Sequence, residues 1–564
     1  MLRSYEAVIL TFILIAAAFA AMIISRRRTE KLRYIKMIND SWGKKGPRLF
    51  SASEPSGVRA YSDDMGEDIR YAAVDEITAS DVDLMGIYGE LRRTMSSAGD
   101  EVLYAWLRHP LTDRRELERR IRMEECFLTR SDIRVPVMTA LGRAGHLKGD
   151  SYYSCLKGIR DAQPHGKGKF IALAAVTAAA LIMLFIYPLA AVIMLVPILA
   201  ADFHVHLSMK NSERGAIRGF MAAGRLLQCG NELLRVLPGD GMEAEASKMK
   251  ELISACQEIR KGSQFVMSGG SVGTGLGDAL IEYVNLLFHF DHIFFDSMLE
   301  RAKKHERDLI ELFVLTGEID AAACAASWSV SRDLCCRPAF DEKGDVVRIS
   351  VTDMVHPLIA EPVPNTLCTE DPILLTGSNA SGKSTFLKSI AVSAILAQSI
   401  GFVTATSYRA PMLRIMSSMA LTDNLRGGES YFVVEIRSLK RILDAAEGET
   451  PVLALVDEVL RGTNTIERIA ASSRILMELA RRNTIVFAAT HDIELTGLTG
   501  NVYRNMHFQE TAADGDVRFD YVLKEGRAEA GNAIALLRTN GYPVAVTEGA
   551  EGAARHFEET GEWT

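Results

Sequence analysis

Lys383 and Ser384 close the stretch Gly377-Ser378-Asn379-Ala380-Ser381-Gly382-Lys383-Ser384, a G-x-x-x-x-G-K-[ST] pattern without a mismatch. That spacing suits a phosphate cradle. Glycines let the backbone wrap closely with its N–H groups inward, and a helix starting at the lysine adds the positive end of its dipole. The flanks agree: "DPILLT" reads as a buried strand and "TFLKSIAVSAILAQ" as a helix, the context that makes the pattern meaningful. In such a loop residues Gly377, Ser378, Asn379, Ala380, Ser381, Gly382 and Thr385 surround the phosphates of ATP. Lys383 reaches the β- and γ-phosphates, and the Ser384 hydroxyl ligates Mg2+.

Two more apolar stretches end in chemistry. "PVLALVDEV" finishes in Asp457-Glu458. At the end of a buried strand behind a phosphate loop, Asp457 serves the magnesium shell and Glu458 orients or deprotonates the attacking water. "NTIVFAATH" ends in His491. A lone histidine is more often structural, but at the ligand edge of a parallel sheet it is placed as a γ-phosphate sensor. Between these strands "RGGESYFVVEIRSL" sets Gly427, Gly428 and Ser430 before a helix from Tyr431, which makes a second anion cradle. The first loop already serves this chain's own phosphates. A spare cradle makes sense if Ser430 reaches the nucleotide of a second subunit, so a homodimer with composite sites is expected.

The elements that position these groups form one part of a longer chain. Its 564 residues suggest several domains, and its formal net charge of -8 argues against coating nucleic acid by bulk charge while leaving room for a local basic patch. None of the eight cysteines falls in a C-x-x-C pair, so reduced thiols are expected and a zinc site is not. A hydrophobic fraction of 48% with mean hydropathy +0.07 is high enough to suggest membrane segments.

Ala7 to Ile24 is uncharged and is followed by Arg26, Arg27 and Arg28. It is long enough for a span, and the basic flank places the N-terminus outside and Arg26 onward in the cytosol. The basic stretch "RRRTEKLRYIKMINDSWGKKG" then lies against the membrane, with anionic lipid headgroups as its partner; nucleic acid and a plain solvated linker are the alternatives. A second run, Phe170 to Ala201, is too long for one span and reads as two helices joined near Tyr187-Pro188, a tight or re-entrant membrane hairpin or a buried helical one. Its ends are basic, through Lys167, Lys169, Lys210 and Arg214, so both face the cytosol. The expected location is thus the cell membrane, crossed about three times, with the nucleotide site cytoplasmic.

From about Val351 to Val546 the chain resembles the ATPase domain of the MutS mismatch-repair family, itself related to ABC ATPases. "VHPLIAEPVPNTL", "GSNASGKSTFLKSI", "AQSIGFVTA", "GGESYFVVEI", "VDEVLRGTNTIE", "ATHDIEL" and "FDYVLKEGRAEAGNAIALLRTNGYPVAV" carry the resemblance in order. It implies ATP hydrolysis with Mg2+, with Ser430 acting in trans. The family stacks adenine between two rings. Tyr521 stands where one is expected, and Val363 where the other often is. Leu91 to Leu128 and "IELFVLTGEIDAAACAASWSVSRDLCCRPAF" are similar to the start and end of the family's helical core.

The implied fold is multidomain, α plus α/β: transmembrane helices, a mostly helical MutS-type core, and a P-loop, ABC-like ATPase domain. The expected boundaries are an anchor over 1–25, a basic linker over 26–76, the core over 77–337 with a membrane hairpin at 170–203, the ATPase domain over 338–546 and a tail over 547–564. Residues 1–76 leave too little room for the family's mismatch-reading domain, and no G-x-F-x-E wedge occurs there. Any DNA binding is therefore expected to ignore mispairing. Arg214, Arg218, Arg225 and Arg235 recur at near-helical spacing, as a solvated face or a phosphate track. The leading reading is a membrane-anchored MutS-type ATPase with duplex or branched DNA as its client. The alternatives are an ABC-like transport or membrane-remodelling ATPase and a nucleotide-switched membrane scaffold.

Overall fold

A computed structural model describes residues 25, 29, 32–44, 57–66, 68, 70–147, 149–212, 214–237, 241–260, 284–341, 348–378, 381–419, 431–461, 463–513, 516–528, 534, 537–538 and 541–563. The expected anchor Ala7–Ile24, together with Asn379, Ala380 and Ser430, lies outside the described residues. The chain divides into two compact units. One comprises Met1–Met65, Arg92–Ala105 and Arg122–Ser331; the other comprises Gly66–Leu91, Trp106–Ile121 and Arg332–Thr564.

The first unit is helical. Its main helices are α1 (Tyr152–Asp161), α2 (Lys167–Met183), α3 (Pro188–Ser212), α4 (Arg214–Leu233), α5 (Glu243–Cys256), α6 (Phe290–Lys304) and α7 (Glu306–Val330). Helix α7 is the spine. It buries Leu309, Leu312, Phe313, Ile319 and Trp328, and α1, α4 and α5 pack against it. Carboxylates are buried with it, each with partners. Asp320 accepts hydrogen bonds from the backbone N–H of Met95 (2.9 Å) and Ser96 (2.8 Å) and from the Ser96 hydroxyl (2.6 Å). Burial still pushes its carboxyl up to about 6. Glu101 caps α1, accepting from the Ser151 hydroxyl at 2.9 Å and the Tyr152 N–H at 2.5 Å, and burial pushes it up to about 7.

The apolar run does fold as two helices broken before Pro188, but it overturns the membrane expectation. Among the described residues, no helix is long and apolar enough to cross a membrane. The turn after Met183 leaves each arm about 14 apolar residues, 170–183 and 188–201, or about 21 Å of helix against a hydrocarbon core of about 30 Å. The transmembrane part of the expected fold class and the multi-pass cell-membrane location are corrected on this ground. The arms also meet through polar groups that sequence reading did not foresee. The Thr177 hydroxyl donates to Asp202 at 3.0 Å, and Asp202 pairs with His289 at 2.9 Å, all three fully buried. Asp296 of α6 pins the approach to α2 by accepting from the backbone N–H groups of His165 and Gly166. At the hairpin tip apolar side chains stand exposed, Phe185 by 91% and Leu189 by 79%.

The second unit carries two sheets. Its strands are β1 (Ala339–Phe340), β2 (Ile349–Met354), β3 (Asn365–Thr369), β4 (Ile373–Thr376), β5 (Ser407–Ala410), β6 (Arg414–Ser418), β7 (Val452–Asp457), β8 (Thr484–Ala489), β9 (Arg504–Ala513) and β10 (Asp516–Glu525). The larger sheet runs β10-β9-β4-β8-β7-β6, parallel except for β10; the smaller runs β1-β5-β2-β3. Strands β4 and β7 are buried at every residue, as expected of parallel strands with packing on both faces. Helices α8 (Lys383–Ile400), α9 (Tyr431–Ala445) and α10 (Thr465–Ala480) pack on this sheet. In α8 the buried Gln398 donates to the carbonyls of Leu111 and Leu413 and accepts from the Leu413 N–H, so an amide inside an apolar helix is fully used.

Candidate functional site

Strands β4, β8 and β7 are neighbours and parallel, so their C-terminal ends share one edge. That edge is where ligands bind in open α/β sheets. The loop after β4, the end of β7 and the residues just after β8 bring Lys383, Ser384, Asp457, Glu458 and His491 to one cavity of about 760 Å³. Sequence spacing of about a hundred residues is thereby closed to contact distance.

Gly377 and Gly382 bound the loop at φ +142° and +112°. A Cβ at Gly377 would stand 2.9 Å from the Phe508 carbonyl oxygen and from the Ser381 hydroxyl, so the loop closes only on glycine. Ser381 is buried and its hydroxyl has no hydrogen-bond partner among the described residues, a polar atom left over for a ligand-bound arrangement of the loop. Lys383 folds back on the loop, donating to the carbonyls of Gly377 and Ser378 at 2.7 Å each and standing 3.5 Å from His491 Nε2. The Ser384 hydroxyl donates to Asp457 at 2.5 Å. A hydroxyl and a carboxylate so placed are hard oxygen donors, which is what magnesium takes. Thr385 also lines the cavity.

Glu458 follows β7 with φ +59°, and Leu460 repeats the left-handed conformation at +61°. The Glu458 carboxylate meets His491 Nε2 at 3.0 Å and Arg461 Nε at 2.6 Å. The hydrogen bond from His491, and then the Arg461 charge, hold it below the usual carboxylate range against the effect of burial. It is therefore ionised near neutral pH, as a base must be.

The rest of the wall comes from the smaller sheet and from β10. Tyr521 lines the cavity at φ +54°, where the β9–β10 register shifts between Phe519 and Leu523. Asn365 fixes this irregularity: its amide donates to the Tyr521 carbonyl at 3.0 Å and accepts from the Leu523 N–H at 2.7 Å. Val363 lines the same cavity. His356 does too, and burial pushes it down to about 4, so it is neutral. Its Nδ1 accepts from the Leu358 N–H at 3.3 Å.

Asn365, His356 and Arg461 were missed by sequence reading. The first two lie inside the quoted "VHPLIAEPVPNTL" and the third inside "VDEVLRGTNTIE". Their segments were legible, but which side chain turns inward was not. Asn379, Ala380 and Ser430 lie outside the described residues.

Comparison with known proteins finds relatives for part of the chain. Residues 373–558 match the family profile described as MutS domain V. The DNA mismatch repair protein MutS of Natronomonas pharaonis is 33% identical over 270 residues, covering 46% of this chain and 30% of that protein. The MutS protein of Thermus thermophilus is 31% identical over 259 residues, covering 45% of this chain and 31% of its own length. The DNA mismatch repair protein MutS 2 of Haloarcula marismortui is 36% identical over 179 residues, or 31% of this chain and 19% of that protein. The matched stretch thus spans about a third or less of these curated relatives. The family profile falls in the C-terminal part of the chain, and these matches make the chain similar over that share to MutS proteins.

Proposed function

We propose that the chain is a MutS-type ATPase. It binds ATP with Mg2+ in the cavity at the strand ends, hydrolyses it at composite sites of a homodimer, and couples the nucleotide state to motion of its helical unit on DNA. One observation carries the reading: Lys383, Ser384, Asp457, Glu458 and His491 line a single cavity on the ligand edge of a parallel sheet. The glycine-bounded loop would hold the phosphates. Lys383 would exchange the carbonyls of Gly377 and Ser378 for phosphate oxygens. Ser384 and Asp457 would hold Mg2+, which supplies charge neutralisation on the phosphates. Glu458 would orient or deprotonate water, with His491 beside it, and Tyr521 would stack on the base. The dimeric part rests on the second glycine–serine cradle at Ser430. The DNA part is supported by relatives named for DNA mismatch repair.

The test is hydrolysis by the purified chain and two variants. Lys383→Ala should abolish ATP binding, and Glu458→Gln should keep ATP bound but unhydrolysed. Normal turnover by Glu458→Gln would remove Glu458 from its role as base. Stimulation by duplex, branched and single-stranded DNA, each at stated salt, tests the client.

A further inference from the structure

Glu435 sits on α9 and is only 3% exposed. No part of the mechanism above uses it. Its Oε1 accepts from the backbone N–H of Leu460 at 2.7 Å, and its Oε2 accepts from that of Arg461 at 3.0 Å. A carboxylate spent on two consecutive backbone donors, deep in the protein, acts as a clamp on the chain that carries them. The clamped chain is the loop after β7, in which Glu458 and Leu460 both hold positive φ. Left-handed backbone at a non-glycine residue is strained and persists only where the surroundings over-determine it. The surroundings do so here. The Glu458 N–H donates to the Ala489 carbonyl at 2.9 Å, and the Ser472 hydroxyl donates to the Val459 carbonyl at 3.1 Å. Val459 and Leu460 pack in one apolar cluster with Leu439 and Ile442 of α9.

We infer that Glu435 is a positioning residue for Glu458: by accepting the Leu460 and Arg461 N–H groups it holds the loop in its left-handed form, with the Glu458 carboxylate beside His491 and Arg461 in the cavity. This rests on the reading of the cavity as a site of ATP hydrolysis. Glu435 does not line the cavity, and its hydrogen bonds go to the loop and not to Glu458. Burial raises its proton affinity, and the two N–H groups work against that rise. Helix α9 begins directly after the segment that carries Ser430 in the sequence, so the clamp ties that helix to the loop of the candidate base.

The experiment uses the full chain with Glu435→Gln and Glu435→Ala. Glutamine keeps size and one acceptor but sets an NH2 group against a backbone N–H, so it carries the test even if the alanine variant fails to fold. Amide hydrogen exchange over residues 457–464 should rise about tenfold or more in both variants, with the P-loop peptide unchanged. The ATP dissociation constant should stay within about threefold, while single-turnover hydrolysis falls by about 10- to 100-fold, the scale of a misplaced catalytic group. In a Glu458→Gln background the same change should bring no further loss. Unchanged exchange in the loop, or ATP affinity falling together with the rate, would overturn the assignment. A wild-type chain that binds ATP without hydrolysing it would instead sink the catalytic reading, and the exchange result would still decide whether Glu435 holds the loop.

Discussion

Tyr521 shows how a single side chain reaches a site through a local irregularity. A regular β10 would carry it past the cavity in the two-residue alternation of a strand. The register shift and the Asn365 bridge turn it in instead. If it stacks on the base, Tyr521→Ala should raise the ATP dissociation constant by about 5- to 150-fold, corresponding to about 1–3 kcal/mol, with little change in the bound rate. Equilibrium binding with ATP and with a pyrimidine triphosphate checks this, because stacking tolerates a change of base where hydrogen bonding does not. An unchanged constant would remove Tyr521 from the site. Val363 lines the same cavity without a ring, so the opposite face of the base has no aromatic partner from that position.

Whole elements carry their own conditions. The β4–α8 loop requires glycine at 377, where a Cβ meets the Phe508 carbonyl. Gly377→Ala should abolish nucleotide binding and lower the melting temperature. Gly497→Ala, in a short helix where a Cβ meets nothing within 4 Å, should be neutral or stabilise by about 0.5–1 kcal/mol. Thermal melts of the pair separate backbone conformation from mere addition of a methyl group.

In the helical unit, Asp320 and Glu101 have folded values near 6 and 7 against ordinary values of 3.8 and 4.5. The folded state therefore holds protons that the unfolded chain has released. Stability from these groups is full below their ordinary values and falls as pH rises through the folded ones. Asp100, held low by His146 and Arg92 against burial, works the other way and only in acid. Asp320→Asn removes one contributor, worth at most about 3 kcal/mol. The gap in melting temperature between wild type and variant should narrow from about pH 4 to about pH 6.5. A constant gap would mean that Asp320 does not titrate in this range.

At the scale of the whole molecule the proposals concern assembly and client. A dimer with trans action predicts complementation. Chains with Ser430→Arg mixed with chains carrying Lys383→Ala should regain partial ATPase activity, since one composite site per mixed dimer stays intact. Total loss in every mixture, with dimers confirmed by light scattering, would rule out trans action. DNA binding through the helical unit has candidate contacts: Arg218, Arg225 and Arg235 are exposed, although Arg218 already pairs with Asp150 at 2.8 Å. Replacing all three by alanine should weaken DNA binding equally across sequences and reduce the salt slope by about one per lost phosphate contact. Unchanged affinity and slope would leave these arginines as a solvated face.

The glycine-bounded loop, the strand end at Asp457-Glu458, the strand end at His491 and the order of strand, loop and helix around them were legible in the sequence, because those features are local. A glycine at positive φ, an apolar strand and a helix start are each written in a few adjacent residues. The rest depends on contacts between segments far apart in the chain. The tertiary structure alone joined Ser384 to Asp457 and Glu458 to His491, since adjacency of β4, β8 and β7 depends on sheet order and not on spacing along the chain. It alone turned Asn365 and Tyr521 inward and gave Glu435 a loop to hold. It also corrected the apolar run at 170–203. Hydropathy counts apolar residues along the chain, whereas spanning a membrane needs them all within one helix. The break near Tyr187-Pro188 was legible from the proline; the burial of Asp202 was not, because Thr177 and His289 meet it from other helices or their ends.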